Sequence, residues 1–409
     1  MNVEVHVDHA EATHLVGRVF PAQRGPAVTF EYAREWLARP DAFAIDPISL
    51  PLQPGPHHGD ALFGALQDCG PDRWGRVLVD RAVRKRVLER RPYRDLDYVL
   101  ALDDVSRIGA LRFRSGRADG FLAQGTGRLP PVVRMNALLH AADAIHRGTE
   151  SAADLRFLLG EGSPLGGARP KSAVLLGDGR LAIAKFPKPD DTRDVPAGEI
   201  LALELARAAG VHAAEHRLVR VAGRSVAVIT RFDRAGNARV PFVSGATLLG
   251  LGTGETGAYT LIADGIRQHG HEVARDLGEL WRRMVFSLLI SNSDDHLRNH
   301  GFLMRAPGRW ALAPAYDLNP VPEIDLASEI QTPIAEEPAA PSIELALASA
   351  RRFLLTATAA RRILTAVFDA VVRWRAIGRE LRIAASTLDA YRTAFEHDLA
   401  TEAKALLRR

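Results

Sequence analysis

Two aspartates, two histidines and two asparagines stand within the twelve residues Ser291–Phe302, SNSDDHLRNHGF. Such side chains serve a metal cluster, the catalytic loop of a phosphotransferase, or a polar turn. The neighbouring sequence discriminates among them. Asn299 follows Asp294 by five residues, and Asp317 comes after GFLMRAPGRWALAP, which reads as a pair of hairpin strands. Phosphoryl transfer needs a carboxylate near the incoming hydroxyl and oxygen ligands for a divalent cation. A loop carboxylate, an asparagine five residues on and a second carboxylate after a hairpin is the order in which kinases place a base and two metal ligands. Zinc remains open, because His296 and His300 are four residues apart, but H-E-x-x-H is absent and the preceding helix WRRMVFSLLI ends before them. Hard oxygen ligands suit magnesium, which does not require imidazole. Magnesium with a nucleotide is therefore the favoured reading, beside zinc and a purely structural turn.

Cations for phosphates occur upstream. Lys185 lies among apolar neighbours in AIAKF, where a buried ammonium calls for a partner, and Glu199, expected to open the next helix, is placed to reach back to it. An edge-strand lysine with its amine in solvent is the plain alternative. SPLGGARPK, Ser163–Lys171, sets Gly166 and Gly167 before Arg169 and Lys171, so exposed backbone N–H groups and cations together could cradle phosphates. It is not the G-x-x-x-x-G-K-[ST] pattern, and a tight turn is the alternative.

The elements that must position these residues follow from periodicity. GARPKSAVLLGDGRLAIAKF predicts a hairpin, Ser172–Leu176 and Leu181–Phe186 around an Asp-Gly turn, delivering Lys185. Glu199–Ala209 reads as a helix stopped by Gly210, and EHRLVRVAGRSVAVITRFDR as two strands joined at a glycine. Beyond Gly270 helices dominate: Trp281, Val285, Leu288 and Leu289 share a face, and Ser349–Trp374 and Asp389–Leu407 show alanine-rich helical periodicity. Before all this, LVGRVF and the residues after it read as strand, turn, strand and short helix, and AIDPISLPLQPG as an extended connector stiffened by proline. The glycine-rich Gly116–Gly127 is the best boundary.

At 409 residues the chain is long enough for two or three domains. Its single cysteine, Cys69, excludes an intrachain disulfide and any cysteine-rich metal centre. Charged residues run through the N-terminus, and no apolar run is long enough to span a bilayer, so a cytoplasmic protein is expected. The net charge of +4 says little about partners. The basic run Asp72–Arg94 could touch nucleic-acid phosphates, although such runs are more commonly the solvated side of helices.

Taken in order, VGRVF, TFEYAREWL, ISLPL, PDRWGR, IGALRF, GGARPK, AKF, AGEILALELARAAGV, ITRFDR, NSDDHLRNHGF and PAYDLNP resemble the HipA family, serine/threonine kinase toxins of type II toxin–antitoxin modules. The resemblance implies an α+β fold: a two-lobed protein-kinase-like core behind a small N-terminal α+β subdomain. The divisions expected are residues 1–125, a strand-rich nucleotide-binding lobe at 126–240 and a helical catalytic lobe at 241–409. It implies ATP and magnesium, with Lys185 on the phosphates, Asp294 as catalytic aspartate and Asn299 and Asp317 as metal ligands. Thr230, Arg231 and Phe232 become the interlobe strand whose backbone holds adenine. Gly166, Gly167 and Lys171 form a phosphate-proximal loop, and Glu199 and His296 complete the nucleotide-facing set. Many members autophosphorylate a serine directly before the LGGARPK-like string, where this chain has Pro164. The modification must then use Ser163 in a shifted register, use Ser172, or be absent. The implied partners are a helix-turn-helix antitoxin, operator DNA mainly through that antitoxin, protein substrates among aminoacyl-tRNA synthetases, and no membrane. A small-molecule kinase on the same core and a catalytically weak co-repressor are the rival readings.

Overall fold

The computed structural model describes residues 2–71, 73–115, 120–121, 130–131, 134–160, 169–252, 254–326, 330–337 and 339–408. Two compact units result: Met1–Asp190 with Val219–Val243, and Asp191–Leu218 with Ser244–Arg409. Among the described residues no helix is long and apolar enough to cross a membrane.

The first unit opens with a five-stranded sheet. Strands β1 (Val3–His9), β2 (Ala12–Pro21) and β3 (Val28–Tyr32), the short helix α1 (Arg34–Leu37) and β4 (Pro56–Gly59) follow one another. Helices α2 (Gly64–Asp68), α3 (Arg73–Arg84) and α4 (Asp95–Leu100) precede β5 (Leu111–Ser115), and the spatial order is β4-β3-β2-β1-β5. The interior strand β1 buries Val3, Val5 and Val7 on one face, and Glu4 and His6 on the other. Glu4 is tolerated there because Arg114 (2.7 Å) and Arg18 (3.1 Å) neutralise it.

Helices α5 (Met135–Arg147) and α6 (Ala152–Gly160) then lead to the expected hairpin, β6 (Lys171–Leu175) and β7 (Leu181–Lys185). Its turn is closed by Leu176 N–H on the Arg180 carbonyl and needs the left-handed φ of +83° that Gly179 supplies. The chain leaves for α7 (Val195–Ala208) of the second unit and returns with β8 (His216–Val221), whose Val219–Val221 end belongs here, and β9 (Arg224–Thr230). The sheet order is β6-β7-β9-β8. Strand alternation divides its faces. Val174, Ala182, Ala184, Val226 and Val228 pack into one core with Leu78, Leu138, Leu139, Leu155 and Leu158 of the helices. Lys171, Ala173, Ile183 and Lys185 have the opposite parity and take the other face. The tiny strands β10 (Arg234–Ala235) and β11 (Ala238–Arg239) close this unit before β12 (Phe242–Ser244).

The second unit is helical. It contains α7, α8 (Gly245–Leu249), α9 (Tyr259–His269), α10 (Val273–Leu289) and a hairpin of β13 (Gly301–Ala306) with β14 (Arg309–Leu312). Helices α11 (Ile343–Ser349), α12 (Ala357–Val371), α13 (Trp374–Glu380), α14 (Ala385–Ala390), α15 (Arg392–Phe395) and α16 (Asp398–Leu407) complete it. Helix α10 is its axis: Leu277, Leu280, Trp281, Met284, Val285 and Phe286 are all inaccessible to solvent. Helix α7 starts at Val195, capped by the Asp194 carboxylate on Ala197 N–H (3.2 Å) with proline in its first turn, so Glu199 lies inside the helix rather than opening it. An added Cβ at Gly198 would stand 2.3 Å from the Tyr391 hydroxyl, so only glycine permits this approach. The long C-terminal periodicities are interrupted: left-handed Leu354 (φ +55°) breaks Ser349–Trp374 before α12, and the non-helical backbone of Glu396 and His397 breaks Asp389–Leu407 before α16.

Candidate active site

In the second unit, α10 ends at Leu289 and the chain turns sharply, with Ser291 at φ +52°. The adjacent aspartates then part company. Asp295 points inward and is buried; Asp294 keeps an exposed edge. The main-chain carbonyl of Asp294 accepts from His296 N–H (3.0 Å) and from the Asn299 side-chain amide (3.1 Å), which closes the loop and leaves the Asn299 oxygen out of that bond. The hairpin β13/β14 carries the chain back to Asp317, held at φ +56°, a conformation aspartate tolerates better than most residues. Asp317 and Asp294 are close enough to feel each other's charge. Partial desolvation raises the Asp294 carboxyl above its ordinary range despite its exposed edge, His296 opposes that rise, and the negative charges of Asp317 and Asp295 add to it. Two carboxylates that each disfavour the other's ionisation form a site that a divalent cation would stabilise.

Beneath the loop lies a buried polar hub. Asp295 accepts from the Tyr259 hydroxyl and from Ser287 Oγ (3.1 Å), with His300 Nε2 3.3 Å away but off the line of a good hydrogen bond. Burial alone would raise the Asp295 carboxyl, yet His300, Tyr259 and Ser287 together hold it below its ordinary value. His300 also packs edge-on against Tyr259, with ring centroids 5.2 Å apart. It therefore faces the interior rather than joining His296 on a shared zinc. Among the described residues no group of three or more His, Cys, Asp or Glu side chains is arranged to hold a metal. That is compatible with magnesium, which is commonly held by one or two carboxylates together with substrate phosphates.

In the first unit, Lys171 and Lys185 face one another in the register of β6 and β7, and both are buried. Like charges opposite one another in a sheet repel, so this face must supply or receive negative charge. Thr230 ends β9 opposite Ala182. Arg231 N–H is taken by the Leu181 carbonyl (2.9 Å), and its side chain turns away into a buried cluster: Nε meets Asp233 Oδ1 (2.6 Å) and Nη1 the Ser106 carbonyl (2.8 Å). Phe232 packs near Phe242 at 6.5 Å between centroids. Any contribution of Arg231 to a ligand is thus a backbone one. Ser172 is fully buried, its hydroxyl donating to the Ala173 carbonyl (3.2 Å), so it is not accessible for modification in this conformation. Ser163, Pro164, Gly166 and Gly167 lie outside the described residues. Glu199 is buried in α7 of the second unit. In the basic run, Arg76 pairs with Asp95, Arg81 with Glu150 and Arg91 with Asp97, so much of that charge is balanced internally.

Sheet-borne lysines in one unit and loop-borne carboxylates after a long helix in the other define an α+β chain of kinase-like build. Residues 7–114 match the HipA N-terminal domain and residues 163–375 the HipA-like C-terminal domain. The chain belongs to the HipA family. Its fold is similar to that of HipA from Shewanella oneidensis MR-1, solved with HipB and its operator DNA, with a TM-score of 0.66 at 15% identity, covering 99% of this chain and 96% of that one. A Haemophilus influenzae protein named "Putative kinase" is 28% identical over 199 residues, 42% of this chain and 58% of that protein. "Putative kinase Y4dM" of Sinorhizobium fredii is 32% identical over 159 residues, 35% of this chain and 38% of that protein. The matched regions thus span only part of these relatives' own length. The expected α+β, HipA-like fold is the one found.

Proposed function

We propose that the chain is an ATP- and magnesium-dependent serine/threonine protein kinase, the toxin of a type II toxin–antitoxin module acting in the cytoplasm. The observation that carries this reading is the convergence of Asp294, Asn299 and Asp317 at the loop after α10. Bound magnesium would neutralise charge on the phosphates and hold them in line for transfer. Asp317 and the Asn299 side-chain oxygen are its proposed ligands. Asp294, with its raised affinity for a proton, would orient the acceptor hydroxyl and take up its proton as the acceptor oxygen bonds the γ-phosphorus and the bond from that phosphorus to the departing ADP breaks. Lys185 and Lys171 supply positive charge for the phosphate tail. Likeness to a HipA solved with HipB and operator DNA supports a DNA-binding antitoxin as partner.

Phosphosite mapping after parallel expression of the wild type and Asp294→Ala tests the reading. New serine or threonine phosphosites on a few proteins, absent with Asp294→Ala, are expected. Transfer of label only to small alcohols would overturn the protein-kinase assignment. Calorimetry adds a second test: nucleotide affinity should fall when magnesium is chelated and again in Asp317→Ala, and no change in either would remove the nucleotide site itself.

A further inference from the structure

We infer that Asn319, anchored by Asn292, fixes how Asp317 presents its carboxylate and so sets a preference for magnesium over calcium; this rests on the nucleotide-site reading above. Asn319 Nδ2 lies 3.2 Å from Asp317 Oδ1 and 3.2 Å from the Asp317 carbonyl, donating to both sides of the left-handed residue. Its own N–H donates to Asn292 Oδ1 (3.3 Å). Asn292 is buried, and its amide reaches Ser287 Oγ (3.4 Å), which in turn donates to Asp295 (3.1 Å). A continuous series of hydrogen bonds therefore ties Asp317 to the buried hub beneath the loop.

The consequence is coordination chemistry. Calcium accepts about six to eight oxygens and commonly takes both oxygens of one carboxylate, whereas magnesium wants a compact octahedron with single oxygens from one or two carboxylates. With Oδ1 accepting from Asn319, a cation that gripped both oxygens of Asp317 would have to share Oδ1 with that hydrogen bond, whereas single-oxygen binding would not. Such a carboxylate suits magnesium and penalises calcium. Asn319 is a positioning residue, since it acts through Asp317, and Asn292 positions Asn319.

The test is calorimetric binding of a non-hydrolysable ATP analogue to the full chain, in magnesium and separately in calcium. The wild type should bind more tightly in magnesium. In Asn319→Ala the ratio of the two affinities should fall at least about threefold, the loss expected for one hydrogen bond to a charged group at a half-buried position. Asn292→Ala should move the ratio the same way by less, and Asn319→Ser covers the case in which the alanine variant does not fold. A structural defect alone would lower both affinities together. A wild type that does not distinguish the cations, or folded variants that keep its ratio, would overturn the inference while leaving the nucleotide site standing. Absence of analogue binding by the wild type in both cations would sink the nucleotide reading and this inference with it.

Discussion

Asp233 is fully buried, yet it accepts from Gly109 N–H (2.7 Å), Arg231 Nε (2.6 Å) and Arg234 Nη1 (2.6 Å). Burial alone would raise its carboxyl, but the charges of Arg231 and Arg234 bring it from 3.8 down to about 2. Arg234 does not gain in return: burial, aided by the neighbouring arginines, pushes it down to about 10. The cluster as a whole is therefore worth less than the aspartate's shift suggests. Replacing Asp233 with alanine leaves two guanidinium groups, 4% and 10% exposed, without their carboxylate. They keep neutral acceptors, among them the carbonyls of Ser106 (2.8 Å) and Arg107 (2.7 Å), so the loss should sit near the ~3–5 kcal/mol typical of breaking a buried pair, not above it. For a unit of this size that is a fall in Tm on the order of 10 °C. Acid should reveal the same group. A depressed carboxyl stabilises the fold fully above its unfolded value of 3.8 and loses that contribution as pH falls towards about 2, roughly 2 kcal/mol by linkage. Denaturant titrations of the wild type and Asp233→Asn between pH 5 and 2 should therefore converge as acid is added. A loss under about 1 kcal/mol in Asp233→Ala at neutral pH, or parallel acid profiles, would refute the account of this cluster as an ion-paired brace.

Asp294→Asn should keep nucleotide affinity within a few-fold while turnover drops by about 100-fold or more, measured as phosphoryl transfer beside calorimetry, because a base acts mainly in the transition state. Gly198→Ala drives a methyl group against the Tyr391 ring and should cost about 1–3 kcal/mol in chemical denaturation, with no cost if α7 slides freely. Burial pushes the Cys69 thiol up to about 12, so an aromatic disulfide reagent at pH 8 should label it only in denaturant; rapid native labelling would contradict its buried placement.

The hairpin that carries Lys185 was legible because GDGR sits between alternating apolar strands, and the loop of Asp294 because a strongly periodic helix stops just before it. The start of α7 was misplaced to Glu199 although Asp194-Val195-Pro196 is a readable cap. Propensity does not show the break before α12, because left-handed Leu354 stands in alanine-rich sequence that carries no glycine there. Within the candidate site, the types and order of Asp294, Asn299 and Asp317 pointed to residues that the loop and hairpin after α10 bring near one another. The roles of Asp295, Asn292 and Asn319 did not show, since one aspartate of an adjacent pair turns inward only once Tyr259, Ser287 and His300 are brought around it from distant parts of the chain. The resemblance assigned Arg231 by its backbone alone; that its side chain serves Asp233 is visible only in the folded chain.

Helix α7 has consequences for how the protein is made. The Tyr391 hydroxyl bonds the Asp194 carbonyl across 197 residues of sequence, and between them α7 buries Ile200, Leu201, Leu203 and Leu205. At ribosomal rates of about 5–20 residues per second, the helix is synthesised roughly 10–40 s before the tyrosine that packs on it. Throughout that interval an apolar helix awaits its partner, making α7 a natural client for a holdase chaperone. A nonsense mutation between α7 and Tyr391 would strand it for good, so termination there should yield aggregation rather than a shortened soluble chain.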